Sequence, residues 1–343
     1  MIGGHDMKRL GSLLRWTGRV VMALMACLLA GWAGLALWFQ AESPWRVPAL
    51  LVCAALGLAA VMAPWMLRWR GRIWLVAGAG LLATLGWWQT LAPSHDRIWA
   101  DDVDRLTWAE VNGNRLIMHN VRNFEWRSET DYTPRWETRE YDLDELVSGD
   151  LFLSYWMGPA IAHTLVSFGF ADGRQLVFSL EIRKEQGESF SAIAGFFRQY
   201  EVVLIAADEN DIIRVRTNAR GETVRMYRLD MPPSALREAL LGYLQEAEDI
   251  RREPRFYNSL TSNCTTIVFD LARRIVPGLP LDYRLLLSGY FAEYAHDHNG
   301  LVPGHEFFEL EAAGDITARA LAFSGDPADF PAAIRVGVPF LVH

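Results

Sequence analysis

The sequence predicts an α+β domain carried behind three apolar helices, and three observations lead there. Hydrophobicity is front-loaded: residues 16–39, 47–67 and 73–91 are apolar runs, each close to the ~20 residues a helix needs to cross a bilayer. Residues 162–182 alternate apolar and polar on either side of a turn, the signature of a β-hairpin. Later segments, one opening at Ser234 and one following Cys264, carry apolar residues at helical spacing.

The three runs end in indoles. Trp38, Trp45, Trp65, Trp69, Trp74, Trp87 and Trp88 cluster where a membrane–water interface would lie. Lys8, Arg9, Arg15 and Arg19 precede the first run, and Arg68, Arg70 and Arg72 separate the second from the third. The loop between the first and second holds only Glu42 and Arg46. Because Lys and Arg are retained on the cytoplasmic side, the N-terminus is expected inside and everything after residue 92 outside. A buried helical domain is the alternative, but each run is apolar on every face. Leu24-Met25-Ala26-Cys27 has the look of a lipoprotein processing site; the chain stays apolar well beyond it and two more runs follow, so three retained helices are expected. The expected layout is a multi-pass protein of the bacterial inner membrane. Residues 1–92 form the anchor, 93–300 a periplasmic domain, and 301–343 a C-terminal extension without an assigned role.

The formal net charge of the chain is −8, and the acid excess is larger in the exported part because the apolar region carries basic residues. That leaves no electrostatic footprint for nucleic acid. No internal repeat, phosphate-binding glycine loop or dinucleotide fingerprint is present, and no cofactor is expected. A polar stretch with His95, Asp96, Asp101 and Asp102 reads as the tether.

Within the exported domain, Asn112-Gly113 marks a turn between strand-like pieces, and residues 119–126 continue extended. Residues 150–156 read as a strand. In the hairpin, Thr164, Val166, Phe168 and Phe170 alternate on one strand and Leu176, Phe178, Leu180 and Ile182 on the other. A three-residue loop, Ala171-Asp172-Gly173, pairs Phe168 with Leu176 and Val166 with Phe178; a two-residue loop would oppose apolar to polar. The favoured register sets His163 across from Glu181. Residues 189–198 read as helix, and 201–206, 212–216 and 223–229 as strands. The helix from Ser234 presents Leu236, Leu240, Leu241 and Leu244 as its apolar stripe.

Cys264 is the only cysteine beyond the apolar runs; Cys27 and Cys53 lie within them. An exported chain tolerates an unpaired thiol when it is buried and inert, or when it does chemistry. Residues 267–274 read as a helix that Ser262 or Asn263 can cap, which puts the sulfur in a first turn where N–H groups and the helix dipole favour thiolate. Thiol catalysis further needs a base, a group that holds the base in the right tautomer, and donors for an oxyanion. The candidates are Cys264, His163 and Glu181, with Tyr257, Asn258 and Asn263 from the preceding loop as oxyanion or substrate contacts. The plain alternative for Glu181 is a solvated carboxylate or an ion pair with Arg183.

Ala162-His163-Thr164, residues 180–185 and the blocks Phe256-Tyr257-Asn258 and Asn263-Cys264-Thr265-Thr266 resemble the signature segments of the Lnb N-terminal periplasmic domain family, as does Asn120-Val121-Arg122-Asn123-Phe124. The resemblance spans residues 95–275. That family is similar to the circularly permuted papain-like thiol proteins, in which a strand histidine precedes the helix cysteine; lecithin–retinol acyltransferase-like enzymes share this order and NlpC-type peptidases reverse it. The resemblance implies a permuted papain-like fold with Cys264 as nucleophile and His163 as base. Its best-understood branch acylates the amino terminus of lipoproteins from a phospholipid donor. This chain departs from that branch in placing its apolar helices first.

The lead expectation is a thiol acyltransferase or hydrolase acting on membrane-associated acyl groups, with phospholipid or lipoprotein as substrate. A cell-wall cysteine peptidase or amidase is the alternative within enzymes, and a silent periplasmic binding module the alternative outside them. His296, Asp297, His298 and His305 are ligand types, but their short spacing and loop setting match no familiar zinc pattern, so no metal is expected. Arg214, Arg216, Arg220, Arg225 and Arg228 read as a charged strand face, solvated or turned to lipid phosphate. A reporter active only in the periplasm, fused after Leu106, should be active; activity of a cytoplasm-only reporter there would overturn the topology.

Overall fold

The computed structural model describes residues 4–259 and 264–340, which form two compact units. The first comprises residues 1–93 together with 193–199, and the second residues 94–192 and 200–343. The apolar runs become helices α1 (Gly4–Gln40), α2 (Arg46–Met62) and α3 (Arg70–Thr90). Two helical stretches, Arg9–Gln40 and Arg46–Trp65, are long and apolar enough to cross a membrane. The third run is also a helix, but four glycines and the closing Trp87-Trp88-Gln89-Thr90 dilute its hydropathy, and it falls outside that class. The helices approach closely through small residues: a Cβ on Gly57 would stand 2.6 Å from the Cβ of Ala30. Trp88 meets Trp32 edge-on, and Phe197 stacks on Phe39 at 5.6 Å between ring centres. Gln40 donates to the Phe197 carbonyl and Arg198 to that of Trp88, so residues 193–199 belong with the helices.

The second unit is α+β. Its strands are β1 (Trp108–Asn112), β2 (Arg115–Arg122), β3 (Glu125–Trp126), β4 (Tyr132–Thr133), β5 (Trp136–Asp142), β6 (Leu146–Tyr155), β7 (Ala162–Phe170), β8 (Gln175–Arg183), β9 (Glu201–Ala207) and β10 (Thr223–Arg228). Eight of them make a mixed sheet in the order β1-β2-β9-β8-β7-β6-β10, with β5 also on β2 and β3-β4 apart. The pairings are antiparallel except the single β2–β9 contact, Arg122 with Ala207. The β1–β2 turn places Gly113 at φ +65°, a position that favours glycine. In the central hairpin Phe168 pairs with Leu176 and Val166 with Phe178, the register in which the apolar faces coincide. Gly173 sits at φ +86° in the loop.

Both faces of the sheet are covered, so the central strands are buried on either side. On one face α5 (Pro233–Arg252) and α6 (Cys264–Ile275) pack on Val166, Phe168, Phe170, Leu176 and Phe178. Tyr243 of α5 stacks on Phe178 at 5.0 Å. Leu236, Leu240 and Leu244 face this core, whereas Leu241 is turned outward. The opposite face buries Phe152, Leu165, Val177, Val203 and Ile205 under α4 (Glu209–Arg214) and the C-terminal segments.

Two local expectations are corrected. Residues 212–216, expected as a strand, are α4 running into a π turn (Val215–Ala219). Asp208 caps that helix by accepting from Asn210 N at 2.8 Å, and Asp211 in its first turn is locked to Arg122. Residues 189–198, expected as a helix, give only a short 3₁₀ turn, Ala194–Phe197, whose Phe197 packs against α1 and α3.

The stretch from 301 onward, expected as an extension, folds into the second unit. After α7 (Phe291–Asp297) come α8 (Phe307–Gly314), α9 (Thr317–Ala322) and α10 (Phe330–Ile334). Just past α10, Arg335 reaches Asp150 at 2.7 Å and Glu209 at 2.6 Å, both acids fully buried. Arg228 also donates to Asp150, at 2.6 Å.

Arg122 lies in the Asn120–Phe124 block and is 4% exposed. It grips Asp211 with two donors, and Asp211 also accepts from Phe124 N and Trp126 Nε1. Asp211→Ala leaves a buried guanidinium without its partner and should destabilise the second unit by about 3–5 kcal/mol. Denaturant titration of the full-length protein checks this; a loss below about 1 kcal/mol would show that the pair matters little.

Candidate functional site

Helix α6 is pinned to β7 at its first described residues. The Thr164 N–H donates to Cys264 Sγ at 3.4 Å, and the hydroxyls of Thr164 and Thr265 lie 3.0 Å apart. The thiol thus sits beside the residue that follows His163, on the face that α6 covers. Cys264 is 7% exposed. The expected helix caps, Ser262 and Asn263, and with them the expected substrate contact of Asn263, lie outside the described residues.

The approach to the thiol is laid along β9. Val202 N donates to Arg255 O and Tyr257 N to Tyr200 O, each at 2.8 Å, which carries residues 255–257 beside the strand. Tyr257 stands near the sulfur. Burial first, then the negative charges of Cys264 and Glu181, raise its phenol above the ordinary range and keep it protonated. Asn258 follows it, half-buried.

His163 Nε2 lies 2.6 Å from Ser179 Oγ and 3.3 Å from Glu181 Oε1. Ser179 Oγ donates to the same Glu181 oxygen at 2.7 Å, and so does Arg216, also at 2.7 Å. Arg216 extends its other terminal nitrogen to Glu222 at 3.4 Å, and Glu222 accepts from the Ser154 hydroxyl. With Nε2 occupied on Ser179, Nδ1 is the nitrogen left for the thiol. Ring and thiol interact through both charge and a hydrogen bond.

Burial opposes charge on His163, Cys264 and Glu181 alike. At His163, burial and the Arg216 cation lower the proton affinity, but Glu181 and Cys264 outweigh them and raise it to about 9. At Cys264, the imidazolium, its hydrogen bond and the Thr164 N–H overcome burial and Glu181, bringing the thiol down to about 7. Against its own burial, Glu181 is held well below the ordinary carboxylate range by His163 and Arg216. A thiol lowered beneath its partner imidazole favours the thiolate–imidazolium pair at neutral pH.

Of the residues expected at a site, the structure brings together Cys264, His163, Glu181 and Tyr257. The charge on Glu181 is partnered by Arg216, while Arg183 instead donates to the carbonyls of Val103 and Asp104 and lies over the ring of Trp99. Two neighbours, Ser179 and Arg216, are not assigned to the site from the sequence, where Arg216 reads as part of a charged strand face. Ser179 shares the Glu181 side of β8, so alternation alone could have found it. Arg216 depends on the π turn after α4, which a strand reading hides. The arginine series is split among Asn210, Glu181, Glu222, Glu311 and Asp150 and makes no common face. His296 and His298 each direct a ring nitrogen to a backbone carbonyl.

Fold and site together define an α+β domain that sets a helix thiol against a strand imidazole backed by a carboxylate. Residues 132–289 match the family model of the Lnb N-terminal periplasmic domain. The match holds β5 to β10, α5, α6 and every group of the site; the Asn120–Phe124 block lies before it. No curated protein and no solved structure matches the chain.

Alkylation of Cys264 by iodoacetamide should rise through an inflection near 7, below the ~8.5 of a free thiol. His163→Ala should return the inflection to the free-thiol range. An unshifted wild-type profile would contradict this electrostatic account.

Proposed function

We propose that the chain is a membrane-anchored thiol acyltransferase or hydrolase acting on membrane-associated acyl groups, with Cys264 as nucleophile and His163 as base. The observation that carries this reading is the meeting of a lowered thiol with an imidazole whose far nitrogen is held by Ser179 and Glu181. In this reading the second unit is a permuted papain-like domain facing the periplasm. All three N-terminal helices span the inner membrane, with the N-terminus cytoplasmic. The anchor favours a lipid-borne substrate because it keeps a soluble site within reach of the bilayer.

The Cys264 thiolate attacks the carbonyl carbon of an ester and forms a C–S bond. The carbonyl oxygen becomes an oxyanion, met by the Cys264 N–H and by the protonated Tyr257 hydroxyl or Asn258. As the intermediate collapses, the C–O bond to the leaving alcohol breaks and His163 supplies the alcohol's proton from the imidazolium. The product is a thioester on Cys264. An amine or water then attacks this thioester, His163 takes the proton of the attacking group, and the thiolate departs. Glu181 stabilises the imidazolium before acylation and again when the acceptor's proton is taken.

Intact-mass measurement after exposure to phospholipid should show an acyl adduct on Cys264, absent in Cys264→Ser and His163→Ala. Glu181→Gln should slow acylation less severely than loss of the thiol, because geometry partly survives. Cleavage of wall peptides without a lipid-derived adduct would move the assignment to a peptidase. No turnover, with Cys264→Ser losing only stability, would make the domain a silent binding module.

A further inference from the structure

An imidazole takes a thiol proton only through a nitrogen that carries a lone pair, so the tautomer of His163 matters as much as its place. Ser179 stands between ring and carboxylate. Its Oγ is 2.6 Å from His163 Nε2 and 2.7 Å from Glu181 Oε1, while the direct Nε2–Oε1 separation is 3.3 Å. A serine hydroxyl has one proton to give, and an ionised carboxylate can only accept. Glu181 already accepts from the buried Arg216 at 2.7 Å, which keeps it ionised. The Ser179 proton therefore goes to Glu181. What Oγ offers the ring is a lone pair, so Nε2 must carry a hydrogen, and when the ring is neutral Nδ1 is the nitrogen left without one.

We infer that Ser179 is a positioning residue: oriented by the Glu181–Arg216 ion pair, it selects the Nε2–H tautomer of His163 and leaves Nδ1 as the base facing Cys264. The inference rests on the thiol-site reading above and adds the element that gives it direction. Donation runs one way, from His163 to Ser179 and from Ser179 to Glu181. Arg216 closes the chain from the far side, itself held by Glu222 at 3.4 Å. Ser179 is 1% exposed, so water does not compete for its hydroxyl.

The charged and titratable groups around the pair are Glu181 on β8, Arg216, Arg220 and Glu222 around the π turn, Tyr243 on α5 and Tyr257 ahead of α6. Glu181 is held well below the neutral range, and both tyrosines are raised far above it, chiefly by burial. A titration of Cys264 near neutrality therefore reports the thiol–imidazole pair.

The test is peptide-resolved alkylation of Cys264 as a function of pH in the full-length protein in detergent micelles, comparing wild type, Ser179→Ala and Ser179→Thr. The wild type should inflect near 7. Ser179→Ala should move the inflection toward ~8.5 and cut the neutral-pH rate by roughly tenfold, with an unchanged melting midpoint. Ser179→Thr, which restores a hydroxyl, should recover the wild-type profile. If either variant melts early, Glu181→Gln, which leaves Ser179 in place but removes its charged acceptor, should shift the profile in the same direction. A Ser179→Ala profile that overlays the wild type, or an unshifted Glu181→Gln, overturns the inference. A wild type that titrates as a free thiol, or is indifferent to His163→Ala, instead overturns the thiol-site reading beneath it.

Discussion

Gly173 at φ +86° closes a three-residue loop, and that loop fixes which residue of β7 faces which residue of β8. Side chains alternate along a strand, so a slip of one position would turn Phe168 and Val166 away from Leu176 and Phe178. The same slip would send Ser179 and Glu181 to the face opposite His163. The apolar pairs under α5 and α6 and the polar pairs on the reverse face are thus two results of one constraint. The driving force comes from the apolar side, where Phe168, Phe178 and Tyr243 pack together. The chemistry inherits its geometry from that packing.

The reverse face is unusual in how many ions it buries, and α4 connects them. Glu209 in its first turn meets Arg335 and accepts from Ser167; Asp211 meets Arg122; the π turn that follows supplies Arg216 to Glu181. Each acid is matched by at least one guanidinium, and further contacts come from the Ser167 and Ser179 hydroxyls, the Phe124 N–H, the Trp126 indole and the His163 ring. Bringing such charges out of water is costly, and the attraction recovered roughly balances it only when geometry is complete. What the arrangement supplies is orientation. A helix of six residues, Glu209–Arg214, aligns the C-terminal segment, the Asn120–Phe124 turn and the support of the imidazole.

Much of this was legible in the chain, and the gaps have physical reasons. The hairpin could be read because both strands keep a period of two and because glycine marks the loop. Helix α5 could be read because Leu236, Leu240 and Leu244 keep the helical period, although Leu241 broke from the stripe to face solvent. Helix α4 was missed because Ile212, Ile213 and Val215 have strand-like side chains; the acidic cap ahead of them, Asp208-Glu209-Asn210-Asp211, was the better signal. The meeting of His163 with Glu181 follows from register alone. Arg216 could not be found that way, since its place depends on a π turn that no local pattern announces.

The path of the backbone between the two units has its own consequence. It leaves the helical unit at Pro93, returns for residues 193–199, and leaves again at Tyr200, so the units are joined by three covalent crossings. In the intact chain Phe197 is buried against Trp88 and Phe39. A fragment begun at Ser94 for solubility would keep Phe197 while losing both partners, with Ile193 and Phe196 already exposed beside it. Such a piece would add Phe197 to an apolar patch that is already exposed, a recipe for self-association. The boundary that hydropathy suggests, just before Ser94, is therefore not a place to cut.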